Sequence, residues 1–436
     1  MQLVERHIIK RGHKCFQEID SLCLASKNLY NRANYNIRQG FILALVYSNY
    51  NLLDKVLKDL PEYKALPAKV SQQVLRGLER NWSSFLGAIQ AWKEKPDKFT
   101  GRPRLPKYKD KDGRNLVVYT IQAISKPWLR KGIIKLSKTS IQFPTQVRAE
   151  AICEVRIVPS VDCYVIEVVY VSALEERQSL ARRSLQESTQ IGTQPVSVAS
   201  VDLGLNNLMA LTSNQKGFQP ILVNGRPLKS INQFYNKRKA TLSSKLKANR
   251  FSSKRLQHLT RKRNQKVNNY LHASSKFVVD SLVKQGIETL VIGKNDSWKQ
   301  EINLGRQNNQ NFVNIPHSKL IAQLTYKCQL VGIKVVIQEE SYTSVASFLD
   351  LDPIPTYGEE GARSIKFSGR RIKRGLYRCR AGSLINADVN GSYNILRKAF
   401  PNAFGYGIES CVVQPRLVTP TKVSRKGKAE MLFTAA

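Results

Sequence analysis

The chain has 436 residues, enough for about two to four domains and at least one large hydrophobic core. It carries 70 Lys and Arg against 32 Asp and Glu, a formal net charge of +38. Such an excess repels itself in a compact fold, which argues against a small anionic substrate as the only partner. It predicts a polyanion, nucleic acid first and an anionic membrane surface second.

The composition also bears on compartment and cysteine chemistry. The longest apolar stretch, FILALVYSNY, is too short and too polar to span a bilayer. The start, MQLVERHIIKRGHK, lacks the apolar core of a signal peptide. We therefore expect a cytoplasmic protein without a membrane partner, nucleoid-associated when bound to DNA. The seven cysteines include no CxxC pair, which favours incidental thiols over disulfides or a zinc site.

The first part of the chain is predicted to be helical. Apolar residues recur at helical spacing from Ile19 to Ile37 and again from Val70 to Trp92, and the aromatic residues among them are interpreted as core. The stretch GRPRLPKYKDKDGR then breaks the pattern with Pro, Gly and several cations. We interpret it as a basic loop that contacts phosphate.

Strands are predicted from about residue 115 to 172. The candidates alternate with period two and read LVVY, IIKL, SIQF, CEVRIV and YVIEVVYV. They predict a compact antiparallel unit, interpreted as a small β-barrel. The polar, unpatterned stretch that follows reads as a linker.

The third part has a different element order. Three strands (VSVASVDL, LMALTS, PILV) precede a long basic helical region, strand TLVI, helix PHSKLIAQLTYKCQLVG, strand KVVIQ, an irregular insertion and helix ADVNGSYNILRKAF. The order βββ-α-β-α-β-insertion-α matches the RNase H-like nuclease fold. In the basic helical region, twelve Lys or Arg and no acid lie between Lys237 and Lys266. These cations repel one another, so a helix face that is exposed only to solvent explains the run poorly. We therefore predict that this region follows the phosphates of a nucleic acid.

Two acids occupy metal-ligand positions of that fold. Asp202 ends the first strand in ASVDLGLNN, and Asp388 opens the last helix in INADVNGSYNI. Phosphodiester hydrolysis uses carboxylates to hold two Mg²⁺ ions roughly 4 Å apart, one activating water and one stabilising the leaving oxygen. The alternatives are a strand-end turn for Asp202 and a helix N-cap for Asp388. Because both acids stand where the fold places its metal ligands, the metal-binding role is favoured for the pair.

These motifs resemble the TnpB family of transposon-encoded, RNA-guided DNA endonucleases, which are related to type V CRISPR effectors. The resemblance rests on VSVASVDLGLNNLMALT, YTS after a strand and INADVNGSYNI, and extends to SKNLYNRANYNIRQ and GRPRLPKYK. It implies a guide RNA and a double-stranded DNA target as partners, with Mg²⁺ as cofactor and Mn²⁺ as a substitute. A monomer is favoured.

The resemblance implies a multidomain α+β fold. An RNase H-like (RuvC) nuclease core would span residues 195–342 and 384–405, interrupted by a target-nucleic-acid-binding insertion at 343–383. The remaining predicted parts are a β-barrel wedge-like domain (1–13 and 106–172), a helical recognition domain (14–105), a linker (173–194) and a flexible tail (406–436).

The chain departs from the family at its zinc ribbon. The family pattern YTSxxCxxCG becomes YTSVASFLD here, so that Ser347 and Asp350 stand where cysteines would be. The later pair falls on Arg378 and Ala381 in YRCRAG, with Cys379 one place off. We therefore expect no zinc and a degenerate, basic ribbon.

A second departure concerns the acid of the fourth strand. ETLVIGKNDSWKQ places Gly293 where the family has its acid, while the neighbouring strand ends in VVIQEES. Period two sends Glu339 and Glu340 to opposite faces, so only one can serve. We predict Glu340, nearer the loop, with Glu339 as the alternate.

Weaker candidates and an inactive centre remain open. Asp296 and Glu301, in the stretch after the fourth strand, are weaker candidates for the missing ligand. The remaining alternative is that Glu339 and Glu340 are solvated strand-end acids and the centre is inactive. We further predict that Gly293 leaves room for a glutamate arriving from the side, and that Lys294 and Lys299 face substrate phosphate.

The predicted nucleic-acid contacts are cations of the loop, the basic helices and the insertion. They are Arg102, Arg104, Lys107, Lys109, Lys237, Arg238, Lys239, Lys254, Arg255, Arg261, Lys262, Arg263, Arg370, Arg371, Lys373 and Arg374. The function predicted first is an RNA-guided, Mg²⁺-dependent endodeoxyribonuclease. The alternatives are a nuclease-dead RNA-guided DNA-binding protein and a transposase that performs strand transfer itself, which the resemblance disfavours.

Overall fold

The computed structural model describes residues 1–44, 46–171, 197–247, 250–295, 315–405 and 407–420. The chain divides into two compact units, Met1–Glu175 and Glu176–Glu430, and each combines helices with β-sheet, so the fold is mixed α+β. The predicted linker lies outside the described residues. Among the helices that are described, none has the length and apolarity needed to cross a membrane.

The first unit combines two long helices with short strands. Its helices are α1 (Phe16–Ala44), α2 (Tyr50–Leu57), α3 (Pro61–Lys64), α4 (Ala68–Glu94) and α5 (Lys126–Leu129). Its strands are β1 (Gln2–Lys10), β2 (Val117–Thr120), β3 (Ile133–Lys135), β4 (Gln142–Pro144), β5 (Ile152–Pro159) and β6 (Cys163–Val171).

The strands of the first unit form an open sheet, so the prediction of a closed barrel is wrong. The antiparallel order is β1-β6-β5-β2, with β1 and β2 at the edges, and β3 and β4 form a separate ribbon. Helix and sheet residues share one hydrophobic core that contains Trp82 of α4, Tyr119 of β2 and Ile166 of β6. Packing of helices on the sheet buries the apolar face that barrel closure would otherwise have buried.

The second unit contains nine strands and four helices in its described part. The strands are β7 (Val198–Leu203), β8 (Asn207–Ser213), β9 (Ile221–Asn224), β10 (Thr289–Gly293), β11 (Lys334–Gln338), β12 (Arg370–Lys373), β13 (Leu376–Arg378), β14 (Leu384–Asn386) and β15 (Arg416–Val418). The helices are α6 (Arg226–Ser243), α7 (Lys254–Lys284), α8 (His317–Leu330) and α9 (Ala387–Ala399).

A six-stranded sheet organises the second unit, in the order β11-β10-β7-β8-β9-β15. Strands β7, β10 and β11 run parallel, whereas β8 is antiparallel to both β7 and β9. The element order predicted from the sequence is observed. The predicted flexible tail needs correction, because Arg416–Val418 forms β15 and pairs parallel to β9. Residues 421–436 of that tail lie outside the described part.

Helix α9 packs closely on the middle of this sheet, against β7, β8 and β10. Small hydroxyl residues permit the close approach: Ser200 Oγ lies 2.9 Å from Thr212 Oγ1 and donates to the Ser392 carbonyl oxygen at 2.6 Å. All three are buried. Because buried polar groups are costly unless hydrogen-bonded, this network ties the helix to one position on the sheet.

The insertion before α9 contains the small antiparallel sheet β12-β13-β14. Its first turn is held by α9, since the side chain of Asn390 bonds Phe348 N and the Ala346 carbonyl oxygen. The rings of Phe348 and Tyr393 stack with centroids 4.3 Å apart. The insertion is therefore fastened to the same helix that carries Asp388.

Candidate functional site

Three acids from separate elements approach one edge of the six-stranded sheet. Parallel strands end at the same edge, so the carboxyl ends of β7, β10 and β11 lie side by side. Asp202 is the next-to-last residue of β7, Glu340 follows β11 by two residues, and Asp388 lies in the first turn of α9. Gly293, the last residue of β10, lies between the first two.

Gly293 provides space for the Glu340 side chain, as predicted. A Cβ atom at this glycine would overlap Glu340 Oε2 and would stand 2.5 Å from Ile395 Cδ1. No real Cβ tolerates such contacts without movement of its neighbours. The Glu340 carboxylate, which follows β11, thus occupies the space that a side chain at position 293 would need. This part of the prediction is confirmed.

Gly391 plays a similar part for Asp202. An ideal Cβ on this helical glycine would lie 2.8 Å from Asp202 Oδ2. The Asp202 carboxylate therefore rests against α9, one turn beyond Asp388. A bulkier residue at 391 would push the strand acid away from the helix acid.

The electrostatics link the acids to one another. Burial raises the pKa of Asp202 well above its ordinary value, and the charges of Glu340 and Asp388 raise it further. Burial, and then the charge of Glu339, raise the pKa of Glu340 to about 7. These shifts arise where carboxylates face one another in a poorly solvated site. Strong perturbation of this kind is typical of functional sites.

Asp388 is held in one orientation by its neighbours. The helix N-cap is Asn386, whose Oδ1 accepts from the N–H of Asp388 at 3.0 Å and of Val389 at 3.2 Å. The Asp388 carboxylate is therefore not used as a cap. It accepts from Asn207 Nδ2 at 2.7 Å, and the Arg371 guanidinium lies 3.6 Å from its other oxygen.

Glu339 points to a different partner. Lys398 Nζ donates to Glu339 Oε2 at 2.5 Å, and the Ser341 N–H donates to Oε1 at 2.7 Å. These partners lower the pKa of Glu339 against the opposing effect of its burial. The two adjacent glutamates thus differ: one is ion-paired, and the other turns toward Asp202. Asp296, Glu301 and Lys299 lie outside the described residues.

The oxygen donors suit a hard divalent cation. Glu340 Oε2 is fully buried, and no described group hydrogen-bonds it. An unsatisfied buried carboxylate oxygen is costly, and a bound cation would relieve the cost. Within the described part of the chain, however, no three His, Cys, Asp or Glu side chains form a ready-made metal cage. The positive charge of Arg371 acts against the effect of the neighbouring acids and lowers the pKa of Asp202.

The predicted nucleic-acid contacts are mainly exposed cations. The loop cations Arg102, Arg104, Lys107 and Lys109 project from a backbone that α1 holds. Three side chains at helical spacing on α1 donate to loop carbonyl oxygens: Lys27 to Lys111 at 2.9 Å, Asn31 to Lys109 at 2.9 Å and Asn34 to Pro106 at 3.0 Å. This arrangement fixes the loop and leaves its charges facing outward.

In the second unit, the predicted cations of α6, α7 and the insertion are exposed except for two. Arg261 and Arg263 are partly buried. Arg263 donates to Asn232 Oδ1 at 2.8 Å and lies over the Tyr235 ring, which gives it a packing role between α6 and α7. Lys294 is exposed, and its predicted phosphate contact stays a prediction.

Two residues near the acids were not predicted from the sequence. Asn207 was not selected, although its position in DLGLNN, five residues after Asp202, was visible. Lys229 was not selected either, because it lies outside the densest charge run. Its Nζ donates to Asn206 Oδ1 at 2.8 Å, which brings α6 to the loop that carries Asn207.

Two family models match the chain. Residues 182–299 match OrfB_IS605, described as a probable transposase, and residues 317–395 match the TNB domain of Cas12f1-like proteins. The TnpB-like protein ORF457 of Acidianus two-tailed virus is 22% identical over 418 residues, covering 88% of this chain and 84% of that protein. Over these spans the chain is similar to TnpB-like and Cas12f1-like proteins.

Solved structures of similar proteins were also found. A Cas12f1 protein in a complex with sgRNA and target DNA is 13% identical, with a TM-score of 0.35, covering 90% of this chain and 98% of its own. C2c1 of Alicyclobacillus acidoterrestris with single-guide RNA is 10% identical, with a TM-score of 0.38, covering 88% of this chain and 70% of its own.

Proposed function

We propose that this protein is an RNA-guided DNA endonuclease that hydrolyses phosphodiester bonds with Mg²⁺ held by Asp202, Glu340 and Asp388. The observation that carries the proposal is the meeting of three carboxylates from β7, the end of β11 and α9 at one sheet edge. The strand order and the position of α9 are those expected of an RNase H-like nuclease core.

In this proposal, residues around the three carboxylates orient them for the chemistry. Mg²⁺, when bound, supplies the positive charge that activates water and stabilises the leaving oxygen. Asn207 orients the Asp388 carboxylate, and Lys398 holds Glu339 so that the adjacent Glu340 faces Asp202. Burial of the acids strengthens their interaction with a cation, because fewer waters compete. Mn²⁺ is expected to replace Mg²⁺, since both accept oxygen ligands.

The proposal of RNA and DNA partners rests on charge and on similarity to known proteins. A similar Cas12f1 protein was solved with sgRNA and target DNA, and the net charge of +38 provides for two polyanions. In this proposal, base pairing with the guide selects the target, and the protein reads a short flanking motif. The first unit would act as the recognition and wedge-like part, with its helices and sheet on one core, and residues 343–383 would bind target nucleic acid.

The test is a cleavage assay with the full chain purified together with its RNA. A linear double-stranded DNA that contains the RNA-matched sequence should be cut only when Mg²⁺ is present. Asp202→Asn should abolish cutting while leaving RNA-dependent DNA binding intact. Guide-dependent binding without any cleavage by the parent protein would contradict the nuclease and support the nuclease-dead alternative.

A second candidate, strand transfer, has one observation in its favour: the family model that matches residues 182–299 is described as a probable transposase. The same carboxylates could serve it, because hydrolysis and strand transfer differ in the attacking hydroxyl. Joining of a labelled DNA end to a second DNA would identify it. Cleavage with no joined product would exclude it for the conditions used.

A further inference from the structure

A cluster of cations lies beside the carboxylate site and has no role in the chemistry described above. It consists of Arg226 and Lys229 in the first turn of α6 and Arg374 in the turn between β12 and β13. Arg226 and Arg374 are exposed, and Lys229 is partly buried. Burial, and then the charges of Arg374 and Arg226, lower the pKa of Lys229, so the three cations are close enough to repel one another.

The cluster lacks a counter-charge. Within the described part of the chain, no Asp or Glu forms an ion pair with any of the three. The first turn of α6 contains no acid, although the partial positive charge at a helix N-terminus favours one there. Two positive side chains of α6 and a third from the insertion therefore add up at a single place. An anion would relieve their mutual repulsion.

A short loop joins this cluster to the carboxylates. Asn206 accepts from Lys229 Nζ through its side chain and from the Gly225 N–H at 2.7 Å through its carbonyl oxygen. The next residue, Asn207, donates to Asp388. On the other side, Arg371 lies 3.6 Å from Asp388, and Arg374 follows three residues later, about 10 Å along an extended chain. The cations are thus connected to Asp388 from two sides, through the Asn206–Asn207 loop and through the strand that carries Arg371.

We propose that Arg226, Lys229 and Arg374 form a phosphate subsite that holds the backbone of the DNA strand next to the bond being cut. The ligand is a phosphodiester of nucleic acid, and its position beside the acids identifies the DNA strand rather than the guide RNA as its source. The inference rests on the proposed function and adds to it a means of aligning the substrate. Its residues touch no base, so the subsite is indifferent to sequence.

The test uses the RNA-loaded full chain with a chelator present, so that binding is measured without cleavage. Affinity for a fluorescent single-stranded DNA of target sequence is followed by anisotropy over a range of NaCl concentrations. Lys229→Gln and Arg374→Gln should each weaken binding by about tenfold and reduce the slope of log K against log salt by about 0.7, the value for one lost phosphate contact on a single strand. Lys229→Arg should bind nearly as the parent does.

Lys216→Gln is the matched control. Lys216 is exposed in the turn after β8, at the end of the sheet opposite the acids, so its loss should leave affinity and slope unchanged. Melting temperatures of all variants check that the loop and α6 remain folded. Unchanged affinity and slope in both Gln variants would overturn the subsite, as would a loss in Lys229→Gln that Lys229→Arg fails to restore.

Two further results distinguish the DNA subsite from a contact with guide RNA and from the proposed nuclease function. If the variants lose guide RNA during purification but bind DNA normally once RNA is restored, the phosphates belong to the guide and the DNA assignment is wrong. If the parent protein never cleaves with Mg²⁺, the proposed function fails on its own, whatever the binding data are. Normal cleavage and normal DNA binding by both variants would refute only the subsite.

Discussion

Two groups of acids in the second unit have opposite environments. Asp202, Glu340 and Asp388 approach one another, the pKa values of Asp202 and Glu340 are raised, and one buried oxygen of Glu340 has no hydrogen-bond partner among the described groups. Asp350 and Asp352, in the insertion, each accept two hydrogen bonds through one carboxylate oxygen. The contrast is between carboxylates that hold turns together and carboxylates that mainly face one another.

The insertion acids join separate turns of the insertion. Asp350 Oδ2 accepts from Ser347 Oγ at 2.6 Å and from the Arg380 N–H at 2.8 Å, near the positions where the resemblance placed cysteines. Asp352 Oδ2 accepts from the Ser347 N–H at 2.8 Å and the Ser368 N–H at 2.9 Å. Charge-assisted hydrogen bonds to backbone N–H groups are strong. These carboxylates cross-link the insertion by themselves.

The largest expected effect comes from removing an acid of the first group. Glu340→Gln keeps the shape of the side chain but removes the negative charge that would bind a cation. We expect cleavage to fall by about 10³-fold or more, several kcal/mol of transition-state stabilisation. Single-turnover cleavage of the RNA-matched DNA measures it.

Glu339→Gln is the neighbouring control for that substitution. Glu339 pairs with Lys398 and faces away from Asp202, so its variant should cleave within a few-fold of the parent. If both variants cut as well as the parent, neither glutamate is the missing ligand. If only Glu339→Gln is inactive, the alternate assignment is the right one.

The second prediction concerns the pH dependence of stability with a chelator present. The pKa of Glu340 rises from 4.5 to about 7 on folding, so its contribution to stability is complete below pH 4.5 and is lost as the pH rises through 7. The free energy of unfolding of the parent, relative to Glu340→Gln, should therefore fall by up to about 3 kcal/mol over this interval. Urea denaturation at each pH measures it.

Comparison with the Gln variant cancels the titration of shared groups that do not interact with Glu340, so the difference reports Glu340 together with its effect on Asp202. Adding Mg²⁺ above pH 7 should restore the lost stability in the parent and much less of it in Glu340→Gln. Parallel pH profiles for the two proteins would show that Glu340 is solvated like an ordinary surface acid.

Part of this contrast could be predicted from the sequence. Period two indicated that Glu339 and Glu340 face opposite sides, and the strand order indicated that β11 lies beside β10. The sequence did not indicate which face meets Asp202, because that depends on Lys398, 59 residues away on α9. Helical and strand periodicity located most elements. It did not predict β15, a three-residue strand with no local signal, or the open sheet of the first unit, where helices supply the burial that a barrel would have supplied.

The third prediction tests the space that Gly293 leaves. Gly293→Ala adds a methyl group that overlaps Glu340 Oε2 and Ile395 Cδ1. A displacement of the carboxylate by about 1 Å should lower the cleavage rate by about 10²-fold. Overpacking should also lower the free energy of unfolding by about 1–3 kcal/mol. Cleavage kinetics and urea denaturation measure the two effects.

The control for that substitution must be a glycine without a positive φ, which excludes the nearby Gly286. Gly87→Ala, in α4 of the first unit with no atom within 4 Å of its ideal Cβ, adds the same methyl group without a clash. It should leave cleavage unchanged and stabilise its helix slightly. Full activity in Gly293→Ala would mean that Glu340 reaches its position by another route.

The smallest expected effect comes from the second group of acids. Asp350→Ala removes the acceptor that joins Ser347 to Arg380 and leaves the Arg380 N–H without it. We expect the free energy of unfolding to fall by about 1–3 kcal/mol, with cleavage nearly unchanged at temperatures where the insertion stays folded. Asp350→Asn, which keeps an acceptor oxygen but loses the charge, should lose about half as much, because neutral hydrogen bonds are weaker. Thermal denaturation with and without a zinc chelator measures the effect. Stabilisation by added zinc in the parent protein would show that the ribbon still uses a metal, and that the carboxylate cross-link is not its replacement.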